Sequence, residues 1–338
     1  MLCVVNKMKE TVYIFNSGRI QRKDNTLFFE SENGTKKFLP VENIKEIFVF
    51  GEVDFNKKTL EFLTTKQIIV HFFNFYDYYV GSFYPREHYN SGYMILKQAL
   101  AYETTGRRLK IAKSFVEGAA KNSLKILKYY NRRGQNLISI IEEIESYVQE
   151  IECQESIETL MHVEGKIKQS YYGAFKNIIN NSDFTFEKRT KKPPKDYLNA
   201  LISFSNSLIY TYCLSEIYQT HLDPRIGFLH STNFRRFSLN LDIAEIFKPV
   251  IGDRTIFAVL NKGIIDSRDF DNNLNGIILK PSGCRKFLEV LQERLNQTIK
   301  HSTLKREVSY RRLIRLECYK IEKFLMEDYE YKPFVMDW

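Results

Sequence analysis

THLDPRIGFLHSTNFRRFSLNLDIAE, Thr220 to Glu245, is the stretch that decides how the chain is read. It opens on a turn, Leu222-Asp223-Pro224, and passes through a glycine-turned apolar segment to His230. A basic pair, Arg235-Arg236, follows, and Asp242 and Glu245 open an amphipathic segment. If LDIAEIF is helical, these two carboxylates lie on one face, about one turn from each other. Leu241, Ile243, Ala244, Ile246 and Phe247 cover much of the rest. First-turn acids suit the helix dipole and are common caps, so capping is the leading reading on spacing alone. A lone His230 is most simply an ordinary polar residue. A site requires a third group from elsewhere.

That group stands in SIETLMHVEGKIKQSYYGAF, residues 156 to 175. Ile157, Leu160, Met161, Val163, Ile167, Tyr171 and Phe175 mark a broad apolar helical face. Glu164 sits among them, where an unpaired carboxylate would be expensive. Gly165 beside it costs a helix about 1 kcal/mol relative to Ala, which suggests that something approaches the backbone there. A Glu164–Lys168 surface pair is the plainer alternative.

Taken in order, HVEGKIKQSYYGAF, KKPPKDYLNALISFSNSLIY and LDPRIGFLHSTNFRRFSLNLDIAEIFKPVIGDR resemble the CRISPR-associated protein 1 family. The N-terminal TVYIFNSGRIQRKDNTLFFE and IIVHFFNFYDYYVGSFYPRE are similar to the same family, most like its type I versions. The likeness runs from about Lys9 to the C-terminal helices. It implies the integrase of CRISPR adaptation, with metal ligands at Glu164, His230 and Glu245 and Asp242 as the adjacent catalytic acid. It also implies a homodimer that assembles with the small second adaptation protein and joins captured double-stranded DNA to a CRISPR repeat. His221 departs from the pattern, since many relatives carry glycine before LDP.

Composition agrees with such a chemistry. At 338 residues, two domains are expected. A net charge of +9 favours a polyanionic partner. Five scattered cysteines with no C-x-x-C argue against a zinc site or disulfide framework and for a reducing, cytoplasmic setting. No apolar run approaches the ~20 residues that span a bilayer, so no membrane role is expected.

Residues 1–85 read as a small β-sandwich. Short strands start at Thr11, Arg19, Thr26, Lys36, Ile44, Ile68 and Tyr76, and one short helix runs from Lys57 to Thr65. Its Glu52, Asp54 and His71 read as surface or strand-end residues. The family likeness makes this half the dimer contact. Residues 86–92 read as a linker, and 93–338 as an all-helical, metal-dependent catalytic domain. In the long helix from Arg107, Lys121, Lys125 and Lys128 share one basic side. The loop NNSDFTFEKRTKKPPKD reads as mobile, and Asp196–Tyr218 as the central helix of a bundle.

The fold class expected is therefore α+β. Two carboxylates and an imidazole with no thiolate suit Mg²⁺ or Mn²⁺. Arg225, Arg235, Arg236 and Arg254, with the three lysines, are candidate phosphate contacts; salt bridges to Asp223 or Asp253 are the alternative for the arginines. Two competing functions remain at this point, a stand-alone divalent-metal nuclease for DNA or RNA and a non-catalytic nucleic-acid-binding module.

Overall fold

The computed structural model describes residues 10–85, 89, 91–191, 193–232, 237–273, 276–301, 303–327 and 329–337. The chain forms two compact units, Met1–His88 and Tyr89–Trp338.

The first unit is a sandwich of two four-stranded sheets. Its elements are β1 (Glu10–Ile14), β2 (Gly18–Lys23), β3 (Thr26–Ser31), β4 (Lys36–Leu39), β5 (Ile44–Val49), β6 (Val53–Phe55), α1 (Lys57–Lys66), β7 (Ile69–Phe73) and β8 (Tyr79–Phe83). One sheet runs β1-β5-β7-β8 and the other β4-β3-β2-β6. Alternation explains the packing: Ile20, Leu27 and Leu39 from one sheet meet Ile14, Ile47, Val49 and Val70 from the other, with Phe62 and Leu63 of α1 closing the core. The β1–β5 and β5–β7 pairs are parallel, which the crossovers through β2–β4 and through β6 and α1 permit. Sequence reasoning missed β6, a three-residue strand too short to show alternation.

His71 is not a surface residue: it is fully buried. Its Nδ1 lies 2.7 Å from Ser82 Oγ, and buried Glu46 accepts from Thr11 Oγ1 at 2.6 Å. A period-2 strand pattern cannot separate a polar residue facing solvent from one held in a polar network.

The second unit is built of helices α2 (Gly92–Glu103), α3 (Thr105–Asn131), α4 (Ile138–Glu150), α5 (Ile157–Gly173), α6 (Phe175–Ile178), α7 (Tyr197–Ile217), α8 (Leu239–Phe247), α9 (Arg254–Asn261), α10 (Pro281–Asn296) and α11 (Tyr310–Glu327). It is not purely helical. Two hairpins interrupt it, β9 (Phe270–Asn273) with β10 (Gly276–Leu279), and β11 (Thr298–Lys300) with β12 (Glu307–Ser309). Helix α7 is buried nearly all round, as its uniform apolarity requires. Ser91, Ser156 and Asp196 cap α2, α5 and α7 by accepting from the third amide of each helix.

Helix α3 is the axis against which α8 and the C-terminal tail pack. Asn122, fully buried, donates through Nδ2 to Ile246 O and Phe334 O at 3.0 Å each and accepts from Met336 N–H at 2.8 Å. One turn earlier, a Cβ on Gly118 would stand 2.7 Å from Pro333 Cβ and 3.4 Å from Ile246 Cγ1. The helix accepts the propensity cost of glycine there to let the tail lie close. Gly118→Val should therefore destabilise the protein by about 1–3 kcal/mol through overpacking, despite removing a helical glycine. Urea unfolding measures this, and a stability equal to wild type would refute the close-approach reading.

Candidate metal and nucleic-acid site

The turn before α8 is pinned from several sides. Gln98 of α2 accepts from Asp223 N–H at 2.7 Å and donates to Asp223 O and Ile226 O at 3.1 Å each. Arg108 of α3 donates to Phe228 O at 3.0 Å. Pro224 O accepts from Ser238 N–H and Leu239 N–H at 3.0 and 3.1 Å, satisfying amides that open α8. Gly227 is the point of closest approach. A Cβ there would lie 2.7 Å from Ser238 C and 2.8 Å from Asp242 Oδ2.

That closeness lets Asp242 reach back into the turn. Its Oδ2 accepts from Phe228 N–H at 2.6 Å and Leu229 N–H at 3.1 Å, and its Oδ1 from His230 N–H at 3.0 Å. Oδ1 also stands 2.8 Å from His230 Nδ1. Asp242 is thus a cap, but of the preceding turn and not of its own helix. With both oxygens engaged, it fixes the imidazole so that Nδ1 carries the proton and Nε2 is the nitrogen left to bind. Burial pulls the His230 pKa down, but its hydrogen bond to Asp242 and the Asp242 and Glu245 charges more than offset this, and the net shift is upward.

Glu245, one turn on, is 3% exposed, and its charge is met by two lysines. Lys248 Nζ lies 2.6 Å from Oε1 and Lys168 Nζ 2.9 Å from Oε2. Burial alone would raise the Glu245 pKa, yet Lys168, Lys248 and His230 hold it well below the usual carboxylate range. Lys248 begins a π-helical segment, Lys248–Asp253, that joins α8 to α9; such segments recur at functional sites. Lys168 also pairs with Glu164 Oε1 one turn earlier on α5. The Glu164–Lys168 pair is therefore present, but it is drawn inward and shared with Glu245. Gly165 shows no close approach: a Cβ there meets nothing within 4 Å.

A small cavity of about 30 Å³ opens here, lined by Glu164, Lys168, Glu245, Lys248 and Asp253 among others. The donor set fits a hard divalent ion: two carboxylates converge on one cation, and an oriented imidazole stands within electrostatic reach of Glu245. Among the described residues, however, no three His, Cys, Asp or Glu are close enough to hold an ion as they stand. Glu164 and Glu245 share a neighbourhood without forming a ready coordination sphere: Lys168 holds Glu164 Oε1 and Glu245 Oε2, and Lys248 holds Glu245 Oε1.

The basic candidates are placed less uniformly. Arg225 is exposed but engages Asp223 through Nε at 2.9 Å, the salt bridge expected as its alternative. Arg254 lies over the Tyr129 ring, 5.5 Å from its centroid. Arg235 and Arg236 fall outside the described residues. On α3, Lys121 pairs with Glu117 at 2.5 Å and Lys128 with Glu145 at 2.6 Å. Even so, Lys121, Lys125, Lys128, Tyr129 and Arg132 line one open pocket of about 470 Å³.

Sequence reasoning passed over Lys248 and Lys191, and named Asp253 only as a possible salt-bridge partner of the arginines. Lys248 could have been found as a cation three residues after Glu245, on the same helical face. Lys191 belongs to the loop read as mobile, which Asn199 holds. Asn199 Oδ1 accepts from Thr190 N–H at 3.0 Å and Arg189 Nη1 at 2.8 Å, and its Nδ2 donates to Lys188 O at 2.9 Å. Burial and then the charges of Arg189, Lys168 and Lys248 pull the Lys191 pKa down, with Glu245 opposing.

The chain was compared with known proteins. The family model for CRISPR associated protein Cas1 matches residues 12–293. The CRISPR-associated endonuclease Cas1 2 of Thermodesulfovibrio yellowstonii is 57% identical over 331 residues, covering 98% of this chain and 100% of that protein. A solved Cas1 structure from Thermotoga maritima superposes with a TM-score of 0.86 at 44% identity, over 97% of this chain and 100% of that one. A casposase bound to integration product has the same fold, with a TM-score of 0.86 at 21% identity over 97% and 93% of the two chains. No helix among the described residues is long and apolar enough to cross a membrane.

Asp253 supplies a test of this electrostatic picture. It is 2% exposed, and burial pushes its pKa up to about 7, against the opposing pull of Lys248 and Tyr171. A carboxyl with a raised folded pKa binds its proton more tightly folded than unfolded, so stability falls as pH rises from about 4 towards that value. The melting temperature should drop between pH 5 and pH 7.5, and Asp253→Asn should remove most of that drop. Parallel pH profiles for the two proteins would contradict the assignment.

Proposed function

The chain belongs to the CRISPR-associated protein Cas1 family, and from that premise we propose how its helical unit acts on DNA. The protein is a DNA integrase/endonuclease of CRISPR spacer acquisition. Glu164, Glu245 and the Nε2 of His230 would hold a divalent ion, Mg²⁺ or Mn²⁺. The observation that supports this most is the convergence of Glu164 and Glu245 on one ammonium beside an imidazole locked by Asp242. When bound, such an ion polarises a phosphodiester and stabilises the departing oxygen.

This chain's residues supply the rest. Asp242 keeps the His230 proton on Nδ1 and has no oxygen to spare, so it is a positioning residue. Lys248 neutralises the inner oxygen of Glu245 and keeps that carboxylate ionised. In integration, a 3′-hydroxyl of the captured fragment attacks a phosphorus in the CRISPR repeat; the new P–O bond forms as the bond to the old 3′-oxygen breaks. With water as attacker, the same geometry gives cleavage. The α3 lysines Lys121, Lys125 and Lys128, with Arg225, Arg254, Arg235 and Arg236, would position phosphates.

The wider assignment follows the family. The partners are double-stranded DNA and the small second adaptation protein, in the cytoplasm. Residues 1–85 mediate a homodimer, 86–92 link, and 93–338 carry catalysis.

Glu164→Gln keeps shape and removes charge. It should abolish cleavage and strand transfer in Mg²⁺ while leaving DNA affinity nearly unchanged, because affinity comes from the basic surface. His230→Ala and Glu245→Ala should show losses of similar size that do not add when combined. Near wild-type strand transfer by Glu164→Gln would sink the ligand assignment. Replacing Lys121, Lys125 and Lys128 together should weaken binding to all duplex sequences alike. The slope of log affinity against log salt should fall by roughly 0.9 per lost contact; an unchanged slope would return those lysines to solvent.

A further inference from the structure

Lys168 stands where the proposed metal centre needs open oxygens. Its Nζ pairs with Glu164 Oε1 and lies 2.9 Å from Glu245 Oε2. The second lysine, Lys248, holds the opposite oxygen of Glu245 at 2.6 Å. The two cations differ in how firmly they are built in. Lys248 has a side chain only 6% exposed, also donates to Tyr210 Oη at 3.3 Å, and lies 5.3 Å from the centre of that ring. Lys168 is 32% exposed, beside the open backbone face of Gly165 on α5. One lysine is walled in and the other stands at the mouth.

We propose that Lys168 is an exchangeable cation, which yields the Glu164 and Glu245 oxygens to the divalent ion and then contacts a DNA phosphate. This rests on the metal-centre reading above. Two cations cannot share those oxygens at close range. Two like charges a few ångströms apart repel strongly in the low effective dielectric of a part-buried site, and a divalent ion doubles that repulsion. One cation must leave, and the half-exposed lysine with a flexible four-carbon stem is the one that can. Moving Lys248 would strand an ammonium among buried side chains without its partner.

The freed ammonium has a use. Lys191, in the loop held by Asn199, lies within electrostatic range of Lys168 and Glu245. Lys168 turned outward would join Lys191 in contacting the phosphodiester entering the site. Metal loading and phosphate binding then favour each other, and linkage makes the effect reciprocal.

Two measurements on the full-length protein test this, with Mn²⁺ as the probe. The first is amine acetylation read by mass spectrometry on wild-type protein. Lys168 should become severalfold more reactive when Mn²⁺ is added, while Lys248 stays protected. The second is Mn²⁺ titration followed by electron paramagnetic resonance. Lys168→Met should bind Mn²⁺ about tenfold tighter than wild type, since the internal competitor is gone. Equal or weaker binding by the variant, or Lys168 reactivity unmoved by bound Mn²⁺, overturns the exchange. If wild type and Glu164→Gln bind Mn²⁺ equally, the metal-centre reading itself fails, a result distinct from the other two.

Discussion

Two carboxylates on one turn of a buried helix are the constraint around which the helical unit is arranged. Asp242 is fully buried and Glu245 3% exposed, so each charge must be compensated at close range or the helix could not be buried as it is. The protein solves the two differently. Asp242 is met by three backbone amides and an imidazole, all drawn from one turn. Glu245 is met by two ammonium groups on separate elements. The first solution gives rigidity, since backbone amides cannot be exchanged. The second leaves one half-exposed partner at the mouth. A fixed acid that orients a ligand and an adaptable acid that can accept one are what an ion-dependent site would need from one helical turn.

The rigid half depends on residues far from the chemistry. Gln98 of α2 and Arg108 of α3 hold the turn, and Asn122 ties α3 to α8 and to the C-terminal tail. Glycine appears at both tight crossings, Gly118 under Pro333 and Gly227 against Ser238. The long helix α3 thus has two faces with two tasks. One clamps the turn and α8. The other, from Lys121 to Arg132, faces outward as a basic pocket.

How much of this was legible follows from the period of each signal. Strands β2 to β5 and helices α2 to α5 and α7 stood out because alternation and helical spacing run for several turns. β6, the π-helical segment and the two hairpins of the helical unit did not, being too short to show a period. The acids of α8 were visible as a pair, but spacing assigned both to capping. Only tertiary contact reveals that Asp242 caps the turn before it while Glu245 faces Lys168. The buried polar groups His71 and Glu46 were likewise unreadable, because their partners Ser82 and Thr11 lie on neighbouring strands. The loop around Lys191 looked unconstrained since its anchor, Asn199, belongs to an apolar helix whose polar residues read as local packing.

The division of labour bears on why one site serves both cleavage and joining. If Glu164, His230 and Glu245 hold the ion as proposed, phosphoryl chemistry there would be indifferent to whether the attacking oxygen comes from water or from a DNA 3′ end. The ligands cannot encode the choice. It must reside in what delivers the attacker, and a 3′ end is delivered by the phosphates behind it. The basic features of this unit lie on separate elements: the α3 pocket, the loop bearing Arg189 and Lys191, and Arg254 over Tyr129. A single duplex passing for hydrolysis needs only one of them. Two DNA segments meeting at one phosphorus would need more than one, held at fixed angles. Under the proposed ligand set, selection for integration over cleavage would therefore fall on the positioning surfaces and the framework that spaces them, while the carboxylates would be common to both reactions.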